Sequence, residues 1–294
     1  MINYLLSMGK RAGRLLLVVL LGLAGVAQAQ QPVKKQPASA GKAPVAKASA
    51  TAPAVPAATG RAVILRVSNP GERIFTMPQV RLPDAAAAAR LNAALVREFG
   101  RNMDSTPATA VRAVRQALAE YQTNDHSGFV GAGYEVLYNA HNLLSVELTA
   151  EYLGAYPSSG TRHATFDLRT GRQLTLAQLV ADTVALRRRW RREINAAVAE
   201  HLGSFATAYP EADAELRADI MARMAWDSTR QQVVFAPNEP RLNDFALSPT
   251  GLTLYHSYDF PHVIQALEPV TDYAFPYAQL KAWLRPTGPL GFRR

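Results

Sequence analysis

Cysteine is absent from all 294 residues. Its absence excludes disulfides, thiolate metal sites and a lipid attached through an N-terminal cysteine; an oxidising compartment is permitted but not demanded. Long apolar runs are missing too. The longest, Leu15–Val26, holds about a dozen residues against the roughly 18 that a membrane-crossing helix needs. A P-loop, the G-x-G-x-x-G fingerprint, the G-x-S-x-G elbow and H-x-x-x-H zinc spacing are all lacking. So are acids in the first sixty residues, which carry seven of the 32 Lys and Arg; residues 61–294 therefore hold 25 basic against 23 acidic side chains. The net charge of +9 is mostly a property of the tail. A nucleic-acid partner, which needs a basic folded face, is not expected.

The N-terminus reads as an export signal. Lys10, Arg11 and Arg14 precede the apolar Leu15–Val26, and Ala27-Gln28-Ala29 is a small-x-small cleavage site. Residues 1–29 are thus expected to be a signal peptide; the alternative is an uncleaved anchor. Residues 30–60, rich in Ala, Pro and Lys and without aromatics, are expected to be a disordered linker, because they cannot bury enough apolar surface to order themselves. The remainder suffices for a sizeable core. It divides into 61–132, with strands and helices, and 133–294; 61–294 together can form one unit.

Alternation is clearest in the middle. Leu144, Val146, Leu148, Ala150 and Tyr152 fall on one face of an extended chain, with Ser145, Glu147, Thr149 and Glu151 on the other. This pattern predicts an antiparallel strand with one face buried and one wet. Tyr134, Val136 and Tyr138 repeat it, with a hairpin loop at Asn139–Asn142, and Ala164, Phe166 and Leu168 give a third face. Gly171 offers positive φ for the following turn, and Thr175 can cap a helix starting at Leu176. Upstream, Ala62–Val67 and Ile74–Val80 read as strands joined at Asn69-Pro70-Gly71. Asp84 caps a helix to about Phe99, and Thr106-Pro107 opens a second. Downstream, helices are expected over Thr183–Ala206 and Pro210–Ala225, then strands at Val233–Phe235, Phe245–Leu247, Leu252–Tyr255 and Val270–Phe275, and a short helix over Pro276–Trp283. Strands clustered with helices in blocks point to an α+β fold, an antiparallel sheet packed against helices.

The run Phe166-Asp167-Leu168-x-Thr170-Gly171-x-x-Leu174-Thr175-Leu176-x-x-Leu179 resembles a block of the RsiV-like and PdaC-like family of unknown-function domains. Asn142-Leu143-Leu144-Ser145-Val146 is similar to that family's preceding strand. Phe245–Tyr255, Tyr258 and Phe275–Leu280 resemble its closing block. The resemblance covers roughly Gly133 to Leu284 and implies an envelope-exposed domain, periplasmic or secreted. Family members include the lysozyme-sensing part of an anti-sigma factor and a domain beside a peptidoglycan deacetylase. The chain departs from the pattern at Gly154-Ala155-Tyr156-Pro157 and in Pro261–Asp272.

Catalytic constellations are weak. Asp125-His126-Ser127 has triad residue types without triad geometry. His256, Tyr258, Asp259 and His262 form the densest polar-aromatic group, with surface histidines as the simpler reading. His141 and His163 lie near strand ends and can meet in space. Glu147 and Glu151 would stand about 13–14 Å apart along one strand, too far for a retaining glycosidase pair, and read as a solvated face. Arg187–Arg192 surrounds Trp190, which a helix turns inward. The arginines are then either a solvated face or a dock for an acidic partner or anionic glycan.

The leading functional expectation is a non-enzymatic binding or sensing domain of the cell envelope, with no cofactor and no metal. Its partner is an envelope protein or glycan. The candidate ligand-binding residues are Tyr156, His163, Tyr255, His256, Tyr258, Asp259 and Phe260, on the loops Gly154–His163 and Tyr255–His262, because tyrosine combines contact area with a polar tip. Lysozyme is a partner the resemblance implies, although a binder of a strongly basic enzyme should be acidic and residues 61–294 are slightly basic. The alternative is a wall-glycan or peptide hydrolase, which requires at least two of His141, His163, His256, Asp259 and His262 within hydrogen-bond reach.

Overall fold

The computed structural model describes residues 60–68, 76–101, 109, 112, 114–116, 119, 128–153, 157–235, 240 and 242–291, with only the backbone for Val67, Ser68, Phe129 and His262. The signal peptide, nearly all of the linker, the Asn69-Pro70-Gly71 turn, Asp125–Ser127 and the start of the second expected helix lie outside these residues. The fold is α+β, with antiparallel sheets and helices.

Strands β1 (Val63–Ser68) and β2 (Thr76–Arg81) pair antiparallel, from Val63 opposite Arg81 to Ser68 opposite Thr76. Helix α1 (Ala85–Arg101) follows. Asp84 caps it: its Oδ1 accepts from the backbone of Ala86 at 2.8 Å and Ala87 at 3.1 Å, satisfying two donors the helix itself leaves unpaired. Ala87, Leu91, Ala94, Leu95 and Phe99 share one face and are buried, the spacing of an amphipathic helix.

That face packs on the central sheet, whose strand order is β3-β4-β5-β6: β3 (Gly128–Ala140), β4 (Leu143–Leu153), β5 (Pro157–Asp167) and the short β6 (Arg172–Gln173). The β3–β4 hairpin turns on His141 and Asn142, with φ of 54° and 59°. Two successive positive φ values are what a two-residue turn needs to follow strand twist. After β5 the chain turns at Gly171 (φ +66°), where a Cβ would collide with the Ala87 carbonyl of α1. Here glycine answers both a left-handed backbone and a close approach.

The sheet is less wet than the alternation predicts. Leu144, Val146, Leu148 and Ala150 are fully buried, as expected, in the core shared with α1, Val114, Ala164 and Phe166. On the opposite face, however, Leu143 and Ser145 are buried as well. A second sheet covers that end. Its order is β11-β10-β9, from β9 (Phe245–Leu247), β10 (Gly251–Tyr255) and β11 (Asp272–Pro276). The sheets are stitched at their seam: Leu247 N donates to Ser145 Oγ at 3.0 Å, and Ser145 Oγ lies 3.0 Å from Thr165 Oγ1. Because one polar partner comes from the covering sheet and the other from the neighbouring strand β5, a serine is tolerated there. β5 also begins at Pro157, seven residues earlier than its apolar pattern suggests. Pro157–Arg162 runs beyond the covering sheet and is mostly exposed, so burial leaves no mark on its composition; pairing with β4 makes it a strand.

Behind the second sheet lie α2 (Leu176–Leu179), α3 (Thr183–Ala208), α4 (Ala214–Arg223) and α5 (Tyr277–Leu280), with the hairpin β7 (Trp226–Asp227)–β8 (Gln232–Val233) between α4 and β9. Asp182 Oδ1 accepts from Ala185 N, and Asp213 Oδ1 from Leu216 N, each at 2.8 Å, capping α3 and α4. Leu186, Trp190, Ile194, Val198 and Phe205 form the buried stripe of α3 and join a second apolar core with Leu143, Leu247, Leu254 and Phe275. The central sheet is thus a wall between two cores. Among the described residues no helix is long and apolar enough to cross a membrane.

Candidate functional site

Register builds the site. In an antiparallel pair, directly opposed residues share a face. Tyr138, Ser145 and Thr165 are opposed in one row, and Glu135, Glu147 and His163 in the next row outward. The first of these rows is sealed by the second sheet: Ser145 is 0% and Thr165 1% exposed. The outer row lies at the rim of the seam, so His163 is 7% exposed while the Glu147 side chain keeps 33%. Beyond it Thr149 is half-buried, and Glu151 and Thr161 are exposed. Burial thus grades from dry to wet within four residues, and His163 stands at the step.

His163 is held on three sides. Its Nδ1 lies 2.8 Å from Asp244 Oδ1 and its Nε2 3.2 Å from Glu147 Oε2. Tyr255, the last residue of β10, lies flat on the imidazole, with ring centroids 3.5 Å apart and planes at 5°. Burial, then the charges of Glu147 and Asp244, push the Tyr255 phenol up to about 12. A neutral imidazole donates from one nitrogen only. Two carboxylate partners are satisfied together when both nitrogens carry hydrogen, or when one carboxyl does. Both ring nitrogens are occupied by carboxylate partners, so neither is open to a substrate. Glu147, expected in a solvated pair with Glu151, instead reaches across to its cross-strand neighbour; Glu151 is exposed.

The second cluster lies next along the chain and is different. His256 meets Trp190 edge-on at 6.1 Å and Tyr258 at 4.6 Å. Burial lowers its pKa to about 4, against a smaller opposing effect of Asp259. Tyr258 and Phe260, expected on a recognition loop, are only 5% and 8% exposed and belong to the core around α3. Their apolar bodies fill the space beside Trp190 and Tyr273. The Tyr258 hydroxyl lies 2.7 Å from that of Tyr273, which donates to the Val270 carbonyl at 2.9 Å. Burial is the main cause that raises both phenols, Tyr273 to about 12. Asp259 is exposed with φ of 54°, and its Oδ1 accepts from Ser257 Oγ at 3.1 Å. Tyr156 and the His262 side chain lie outside the described residues. The expected loop Gly154–His163 is corrected to a strand from Pro157 onward.

Of the expected ligand-binding residues, the structure brings His163 and Tyr255 together and sets His256 among aromatic rings. His141 sits in the hairpin turn, 2.6 Å from the Tyr138 hydroxyl, six residues before Glu147 of the Glu147–His163 rung. No two of His163, His256 and Asp259 share a hydrogen bond. Asp244 was not foreseen, and no local signal marks it: it lies in an irregular segment before β9. Among the described residues no group of three or more His, Asp or Glu is placed to hold a metal ion.

The chain is similar in structure to a DUF3298 family protein from Pseudomonas aeruginosa PAO1, with 17% identity, 76% of this chain and 93% of that one covered, and a TM-score of 0.43. It is also similar to a member of the DUF3298 family from Bacteroides fragilis NCTC 9343, with 17% identity, 79% and 95% covered, and a TM-score of 0.41. No family model and no curated protein matches the chain.

Proposed function

We propose that this chain is an exported domain of the cell envelope that binds or senses a ligand and does not convert it. The observation that supports the non-enzymatic half is the saturation of His163. A general base needs a free lone pair within reach of its substrate. Here both ring nitrogens face carboxylate oxygens and one ring face is covered by Tyr255. The cluster is built to hold two sheets in register. The export signal at residues 1–29 supports the envelope half.

Two measurements test the reading. Cell fractionation with N-terminal sequencing should find the chain outside the cytoplasm and starting near Gln30; a cytoplasmic chain beginning at Met1 would sink the exported half. Purified chain incubated with peptidoglycan should release no soluble fragments. Release by the natural chain that disappears in His163→Gln would overturn the non-enzymatic half and restore the hydrolase.

A further inference from the structure

We propose that the cleft between α3 and the β7–β8 hairpin is a binding site for a carboxylated oligosaccharide. This names a ligand class for the binding role above and rests on that reading. The cleft encloses about 710 Å³, a volume suited to a ligand much larger than a single ion.

Helical spacing builds one wall. Arg188, Arg191 and Arg192 stand at i, i+3 and i+4 and line the cleft together, as that spacing places them on one face. Trp190, fully buried on the opposite stripe, fixes the rotation of α3 and so turns these arginines outward. The hairpin, with Arg230 and Phe235, makes the other wall. Asn195 Oδ1 accepts from Val233 N at 2.8 Å and pins the hairpin to the helix, so the walls are held apart at a set distance.

Among the described residues the lining carries four guanidinium groups and no carboxylate. Arg230 is partly neutralised by Asp227 at 3.3 Å, and the Arg191 guanidinium sits 5.2 Å from the centre of the Phe235 ring. Among the described residues neither Arg188 nor Arg192 has an ion-pair partner. Arg189, by contrast, pairs with Glu193 at 2.6 Å and Arg223 with Asp219 at 2.9 Å. Arg188 and Arg192 face the cleft without such an acid.

Three features select the ligand. The guanidinium fork matches a carboxylate bidentately. Arg188 and Arg192 are about 6 Å apart along the axis at 1.5 Å per residue, so they address anions on successive units of a chain. Phe235 and Val234 add an apolar strip for the C–H face of a sugar ring. A carboxylate fixed on a ring also loses less conformational freedom on binding than one on a flexible peptide side chain.

The test is calorimetric titration of the full chain with tetragalacturonate at low salt, where screening is weak. Binding is expected, and Arg188→Ala with Arg192→Ala should weaken it about a hundredfold, roughly tenfold for each guanidinium–carboxylate pair removed. Arg169→Ala with Arg172→Ala, which removes an equal charge from exposed positions that do not line the cleft, should leave affinity unchanged. Circular dichroism melts check that the variants stay folded. No binding, equal binding by the double variant, or equally tight binding of tetraglutamate would overturn the proposal. Failure here with the chain still exported would sink the cleft alone; a cytoplasmic chain would sink the envelope reading whatever the titration gives.

Discussion

His163 and His256 touch the chain at neighbouring positions, Tyr255 stacking on the first and His256 following it directly. Yet they are opposite environments. His163 is framed by two carboxylates, one from the strand beside it and one from the covering sheet's approach. His256 is framed by Trp190 and Tyr258, and burial pushes its pKa to about 4. His163 has 7% exposure and His256 is only half-buried, so depth alone does not decide the chemistry. What differs is the company each ring keeps: carboxylates at His163 and aromatic rings at His256. One histidine joins sheets through hydrogen bonds to carboxylates; the other fills an aromatic wall and stays neutral near pH 7.

The aromatic frame can be broken outright. Trp190→Ala removes the largest fully buried side chain and should cost about 3–5 kcal/mol, read by denaturant unfolding. A loss below about 1 kcal/mol would mean that Trp190 is not the wall on which His256 rests.

The next largest effect is of pH. The folded pKa of His256 is lowered to about 4, below the usual 6.5. Between these values the unfolded chain binds more protons, so stability is greatest above about pH 6.5 and falls as pH drops towards 4. The full penalty is on the order of 3 kcal/mol. His201 is shifted down as well, chiefly by burial, and acts in the same direction. The difference between the natural chain and His256→Phe isolates one ring; stability profiles that run parallel from pH 7 to 4 would refute the assignment.

The carboxylate frame should yield smaller effects. Asp244→Ala leaves Nδ1 of a buried ring without its acceptor and should cost about 2 kcal/mol; Glu147→Ala, at the wetter rim, about 1 kcal/mol. Because both act on one imidazole, a double-mutant cycle should show coupling. Strict additivity would mean that His163 does not link them. Glu151→Ala, two steps of the alternation farther out, should change stability by less than about 0.5 kcal/mol. A larger loss there would erase the dry-to-wet gradient along β4.

How much of this was readable beforehand varies with the range of the interaction. The α1 stripe and its Asp84 cap, the α3 stripe with Trp190 inward, the turn at Gly171 and the buried face of β4 were all legible. Each depends on periodicity or on a cap within a few residues. β5 was legible only from Ala164, because Pro157–Arg162 projects past the covering sheet and carries no apolar alternation. The β7 half of the short hairpin was missed for a similar reason: two residues are too few to show a period. Tyr258 and Phe260 were misplaced on a surface loop because tyrosine suits both an interface and a core with a hydroxyl partner. Tyr273, the partner that decides the matter, is fifteen residues away on β11.

Glu147 opposite His163 lies at the edge of what spacing can tell. With the β4–β5 pairing known, the register follows, but the start of β5 was hidden. Asp244 is eighty-one residues from His163, and nothing near it in the chain announces the contact. Short-range patterning was enough to dictate an α+β chain with an alternating strand against helices, since burying one face is a local demand on composition. The second sheet's placement decided which polar residues are dry and which histidine meets carboxylates, and the docking of the β7–β8 hairpin on α3 decided where four arginines open onto a cleft. Those are long-range contacts, and a residue's identity does not reveal a neighbour that only folding brings to it.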